Sequence, residues 1–240
     1  MEIISLFTSL KSGWLDASLI LLVTASTISA LSRQLPSQNV LAASIIIALA
    51  GGAISVVGEI FGNPFGSFLV GVESGPRIFG TAPWAMPLIW VTFILNSRGV
   101  ARLILRPWRK TRTYGFRLIG ITAVLTAFFE FAFEPFATFT KHFWFWEPTQ
   151  LPVSWHGAPL VNFVSWAVIT ILILAFTTPL LINKQLSKRP APDFYPLIIW
   201  SGAMILFGIS AAVETLWSAV AVDIVIGIAT AIFAIRGARW

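Results

Sequence analysis

Ten acidic side chains are the scarcest reactive groups in this 240-residue chain, and two of them are spaced for chemistry. Glu130 and Glu134 stand i, i+4, so on a helix they share one face. Like charges on one face in a low dielectric repel, which favours a neutral carboxylic acid beside a carboxylate. A proton donor next to an acceptor is what general acid–base work requires. Glu59 and Asp223 fall at a similar depth in other apolar stretches, Asp223 as a candidate supporting acid. The remaining reactive types are few: two histidines, His142 and His156, in one connecting segment, and no cysteine. That excludes thiolate catalysis, iron–sulfur clusters and cysteine-ligated zinc. It also leaves too few histidines for a membrane di-iron oxygenase and no intramembrane haem ligand. No dinucleotide fingerprint, Walker loop or G-x-S-x-G elbow occurs. What remains is chemistry without metal or cofactor on a lipid-like molecule, proton-coupled transport, or binding alone.

The elements that must hold these groups are membrane helices. The chain is 57% apolar and 11% charged, with mean hydropathy +0.84. An average soluble domain carries about 25% charged residues, so a water-soluble monomer is excluded. Spanning the hydrocarbon takes ~20 apolar residues in a helix. Seven stretches qualify, at about 14–31, 40–61, 84–105, 115–133, 160–183, 194–213 and 216–235, the last two joined tightly at Glu214-Thr215. The first lacks a basic leader region and is interrupted by Asp16, so it reads as a span rather than a signal peptide. No linker is long enough to divide the chain, which predicts one multi-pass, all-α membrane domain over 1–240 in the cell membrane.

The net charge of +6 is a sidedness signal. Thirteen of the sixteen Lys and Arg fall on one face, including Arg98, Arg102, Arg106, Arg109, Lys110, Arg112 and Arg117 around the third connection. Only Lys11, Arg77 and Lys141 fall on the other, with nine of the ten acids. The positive-inside rule then predicts the N-terminus outside and the C-terminus in the cytoplasm. On that reading the basic excess marks topology and contact with anionic lipid, not a nucleic-acid partner.

Two outer loops read as structured. The first runs Gly62-Asn63-Pro64-Phe65-Gly66 and Glu73-Ser74-Gly75-Pro76-Arg77-Ile78-Phe79-Gly80; its glycines permit tight turns and its prolines fix φ. The second carries Phe143-Trp144-Phe145-Trp146-Glu147-Pro148 and closes on His156-Gly157-Ala158-Pro159. Aromatics at this depth form an interfacial belt or line a site for a long, flat, apolar ligand.

These loops carry a resemblance. Gly58-Glu59-Ile60-Phe61-Gly62, Pro64-Phe65-Gly66, Gly75-Pro76-Arg77-Ile78-Phe79-Gly80, Pro83, Met86-Pro87-Leu88 and Trp90 resemble the carotenoid biosynthesis protein family. That family includes the CruF-type carotenoid 1,2-hydratases and the bisanhydrobacterioruberin hydratase. Thr126-Ala127, Glu130, Glu134-Pro135, Trp144-x-Trp146, Gly157-x-Pro159-Leu160-x-Asn162-Phe163 and Trp166 extend the likeness over residues 54–184. Where the family pattern has aspartates, this chain has Glu130 and Glu134; Asn63 replaces a Thr-Gly type step.

The resemblance implies addition of water to the terminal C1–C2 double bond of an acyclic carotenoid end group, as in lycopene or γ-carotene, without a cofactor. It implies that Glu130 or Glu134 protonates C2 and that Trp144 or Trp146 faces the cation. Glu59 would take a proton from the attacking water, with Asn162 orienting it. Phe65, His156 and Trp166 would line the substrate site, and Arg77 would tune the carboxylates or anchor its loop. Membrane lipids and other carotenoid-pathway enzymes are the partners it implies. The rival reading is a non-catalytic membrane subunit that binds a carotenoid or lipid. A proton-coupled transporter, suggested by Glu214 and Asp223, is the third, and the chain lacks the internal repeats common in transporters.

Overall fold

The computed structural model describes residues 13–148, 153–182 and 191–240. Among these residues seven α-helices follow one another: α1 (Gly13–Ser32), α2 (Ser37–Phe61), α3 (Met86–Ile104), α4 (Tyr114–Pro135), α5 (Leu160–Thr177), α6 (Tyr195–Val213) and α7 (Trp217–Ala238). Lipid offers no partner to a bare backbone, so every span satisfies its own amides within a helix. Glu2, Lys11, Asn183, Lys184, Lys188 and Arg189, which entered the sequence reading of spans and sidedness, lie outside the described residues.

Boundaries follow local chemistry. Gly62 ends α2 in a left-handed conformation (φ 67°), returning its N–H to the Gly58 carbonyl at 2.8 Å. Asp193 Oδ1 accepts the Tyr195 N–H at 3.0 Å at the start of α6, where Pro196 occupies the first turn. Thr215 takes φ 59° and turns α6 into α7.

Among the described residues, six helices are long and apolar enough to cross a membrane; α3 is the seventh and differs in kind. It carries Asn96, Ser97, Arg98 and Arg102, and it is buried from Ile89 to Leu103 almost without interruption. Its polar groups meet protein instead of lipid: Thr92 bonds Thr24 of α1 at 2.8 Å, and Asn96 Nδ2 donates to Thr27 at 3.1 Å. Phe93 stacks on Phe129 of α4 at 4.3 Å, and Trp90 on Trp166 of α5 at 3.6 Å and 12°. Gly51 of α2 lets Trp90 approach the backbone, and Gly99 does the same for Pro196 of α6. The helix least suited to lipid is therefore the axis around which the others pack.

The two ends of the bundle separate as their charges do. Lys141 pairs with Asp16 of α1 at 2.8 Å at one end. At the other, Gln34 Nε2 donates to Asp193 at 2.5 Å and Arg98 to the Leu181 carbonyl at 3.1 Å. The acid-bearing end is closed by two small antiparallel ribbons. β1 (Phe68–Val70) pairs with β2 (Trp144–Trp146), Phe68 opposite Trp146 and Val70 opposite Trp144. β3 (Ser154–Trp155) and β4 (Ala158–Pro159) form a hairpin turned by His156 (φ 49°) and Gly157 (φ 94°), the two positive φ values of a tight hairpin turn.

Candidate active site

Helix α4 brings Glu130 and Glu134 to one face, and both are buried at 2% and 0% exposure. Their surroundings differ. Glu134 Oε1 accepts three hydrogen bonds: from Thr138 Oγ1 at 2.7 Å, Trp144 Nε1 at 2.9 Å and Trp146 Nε1 at 2.5 Å. Thr138 follows by one more helical step, because the chain continues past Pro135 in a wide turn over Phe136–Thr140. The two indoles arrive on β2, where alternation points both inward and leaves Phe145 outside at 47% exposure. Glu130 Oε1 has one long contact, from Asn162 Nδ2 at 3.4 Å. The second carboxyl oxygen of each acid, Oε2, is buried without a hydrogen-bond partner among the described residues. Three donors suit a carboxylate, and a nearly bare buried acid suits the neutral form. The geometry therefore fits an anchored carboxylate at Glu134 and a carboxylic acid at Glu130.

Glu130 opens onto a cavity of about 30 Å³ lined by Ser55, Phe65, Phe68, Met86, Trp144, Trp146, Asn162 and Trp166. That is room for roughly two or three waters, each needing roughly 10–15 Å³ by this measure. The wall is rigid on one side. Trp90 and Trp166 are stacked, Trp90 Nε1 is fixed to Ser55 Oγ at 3.1 Å, and Phe65 tilts against both rings at 6.4–6.5 Å. Ser165 of α5 donates to the Pro64 carbonyl at 2.8 Å and so ties the Phe65 loop to the helix bearing Asn162. The other side is the β1–β2 ribbon, so the wall that holds Glu134 also covers the cavity.

Of the residues singled out by sequence, Glu130, Asn162, Phe65, Trp144, Trp146 and Trp166 share this cavity, and Glu134 abuts it. Glu59 does not line it; half-buried on the last turn of α2, it has Arg77 as its charged neighbour. Arg77 itself donates to the Val70 and Gly71 carbonyls at 2.8 and 3.3 Å, stapling the first loop below β1. His156 sits in the β3–β4 turn, its Nε2 3.2 Å from Ser218 Oγ, and burial pulls its pKa below the ordinary value of 6.5. Asp223 is buried on α7 against Gly208 of α6, away from the cavity wall. Ser55, Phe68, Met86 and Thr138 had no site role in the sequence reading. Thr138 was signalled by its spacing, four residues after Glu134. Among the described residues, no three His, Asp or Glu gather to hold a metal ion.

Similarity to known proteins bears on what this site handles. The chain is similar to a bisanhydrobacterioruberin hydratase of Haloarcula japonica, 27% identical over 124 residues, which is 52% of this chain and 40% of that protein. No solved structure matches. The family model described as carotenoid biosynthesis protein matches residues 15–230, reaching into each of the seven described helices. The chain belongs to the carotenoid biosynthesis protein family.

Proposed function

We propose that the protein is a carotenoid hydratase that adds water across the terminal C1–C2 double bond of an acyclic end group. The observation that carries this reading is the Glu130–Glu134 pair at the wall of an aromatic-lined cavity, one acid anchored by three donors and the other nearly bare. The Glu130 carboxyl gives its proton to C2, the π electrons form the new C–H bond, and C1 becomes a tertiary cation. Glu134 and the Trp144 and Trp146 ring faces stabilise that cation; cation–π contact contributes on the order of 0.5–2 kcal/mol per ring. A water oriented by Asn162 adds its oxygen to C1 and returns one proton to Glu130. One water is consumed and no electrons are exchanged. The return proton is assigned to Glu130 and not to Glu59, because Glu130 faces the cavity and Glu59 faces Arg77.

Expression in a lycopene-producing host tests the reading. The expected product is heavier by one water, its oxygen coming from labelled water. Glu130→Gln is expected to lower hydration by about 10²–10⁴-fold, the range for losing a general acid. Oxygen from dioxygen, or unchanged hydration in both Glu130→Gln and Glu134→Gln, would overturn it. Pigment copurifying with no new product would support the non-catalytic binding subunit instead.

A further inference from the structure

At the end of the bundle opposite the cavity, a buried charge has no ion-pair partner among the described residues. Arg98 of α3 is 4% exposed, and its guanidinium donates to the Leu181 carbonyl at 3.1 Å. The ionisable side chains that face it are Arg102, one turn further along α3, and the phenol of Tyr114. Among the described residues, no carboxylate stands beside it. Asp193, the one acid that the sequence places at this end, accepts from Gln34 Nε2 and the Tyr195 N–H. Residues 183–190 add three basic residues and no acid. Burying a cation is costly unless an anion pairs with it, and an anion from outside the chain would supply that pairing.

The surroundings select its chemistry. Arg109, Lys110 and Arg112 lie on the short α3–α4 connection beside Trp108 and Phe116, which are 46% and 81% exposed. Exposed aromatics among basic residues mark the depth of lipid headgroups. The end of α7 closes the same region. Gly237 packs against the Ile104 backbone so closely that a Cβ would lie 2.6 Å from its carbonyl oxygen, which brings the exposed Arg236 to this rim. A guanidinium presents paired N–H groups that match a phosphate, and a phosphodiester at this depth belongs to a lipid.

We infer that Arg98 and Arg102, rimmed by the α3–α4 connection and the end of α7, bind the phosphate of an anionic phospholipid. The test uses the purified full chain in neutral detergent, with phosphatidylglycerol, phosphatidylcholine or inorganic phosphate added in separate arms. Phosphatidylglycerol is expected to raise Tm by about 4 °C or more over phosphatidylcholine. Both Arg98→Gln and Arg102→Gln are expected to remove at least half of that shift, and native mass spectrometry to show fewer retained phosphatidylglycerol molecules. Arg102→Gln decides the matter if Arg98→Gln fails to fold. Equal shifts with the two lipids, or a shift that survives in Arg102→Gln, would overturn the assignment. A matching shift with inorganic phosphate would replace the lipid by a soluble anion and also overturn it.

Discussion

Replacing Thr138 by valine removes one of the three donors that hold Glu134 while leaving every aromatic ring in place. A hydrogen bond to a charged group is worth about 1.5–3 kcal/mol, so hydration is expected to fall by roughly 10–100-fold. Thr138→Ser keeps the hydroxyl and is expected to restore most of the rate. Product yield per unit of folded protein, compared across the three forms, checks this. Trp146→Phe makes the complementary change, keeping an aromatic face and losing the indole N–H, and a similar loss is expected. At this scale the sequence was informative about Glu130 and Glu134, because an i, i+4 pair of acids in an apolar helix is rare and costly. It could not say how their surroundings differ. That difference comes from donors 10 and 12 residues beyond Glu134, on a strand that the sequence reading treated as belt or ligand lining.

The ribbon of β1 and β2 is the element that joins the two outer loops into one site. Each strand has only three residues, too short for an alternation pattern to announce its partner, so the loops were legible as ordered but their pairing was not. Gly71 shows how close the pairing is: its N–H reaches the Phe143 carbonyl at 2.8 Å, and a methyl group there would collide with the His142 carbonyl. Gly71→Ala is expected to push β2 outward, destabilising the protein by about 1–3 kcal/mol and drawing both indoles away from Glu134. Thermal unfolding and hydration measured on the same sample should fall together. The neighbouring hairpin answers to pH. His156 is held neutral by burial, so its contribution to stability is complete above pH 6.5 and is lost as the pH falls below that value. Tm measured from pH 8 to pH 5 should drop more in the native chain than in His156→Gln.

Across the whole molecule, composition already implied a bundle of seven helices with acids gathered at one end. Hydropathy alone did not reveal which helix is central, because the stripe-and-face logic of soluble proteins inverts here: lipid accepts apolar side chains, so the polar helix is the inner one. Asn96 and Arg98 were the available signs, and the tight glycine contacts from Gly51 and Gly99 became meaningful only once their partners Trp90 and Pro196 were in view. The same inversion governs how the chain is made. A segment with two arginines and an asparagine partitions weakly from the insertion machinery into lipid, at a cost of about 2.5–3.5 kcal/mol for an arginine near its centre. Helix α3 therefore depends on later arrivals for a stable seat: α4 and α5 supply Phe129 and Trp166, and α7 closes on its end. Glycosylation reporters placed in the α3–α4 connection should be modified in part when synthesis stops after α3. In the full chain they should be protected, which makes biogenesis a cooperative, post-translocation event instead of a helix-by-helix one.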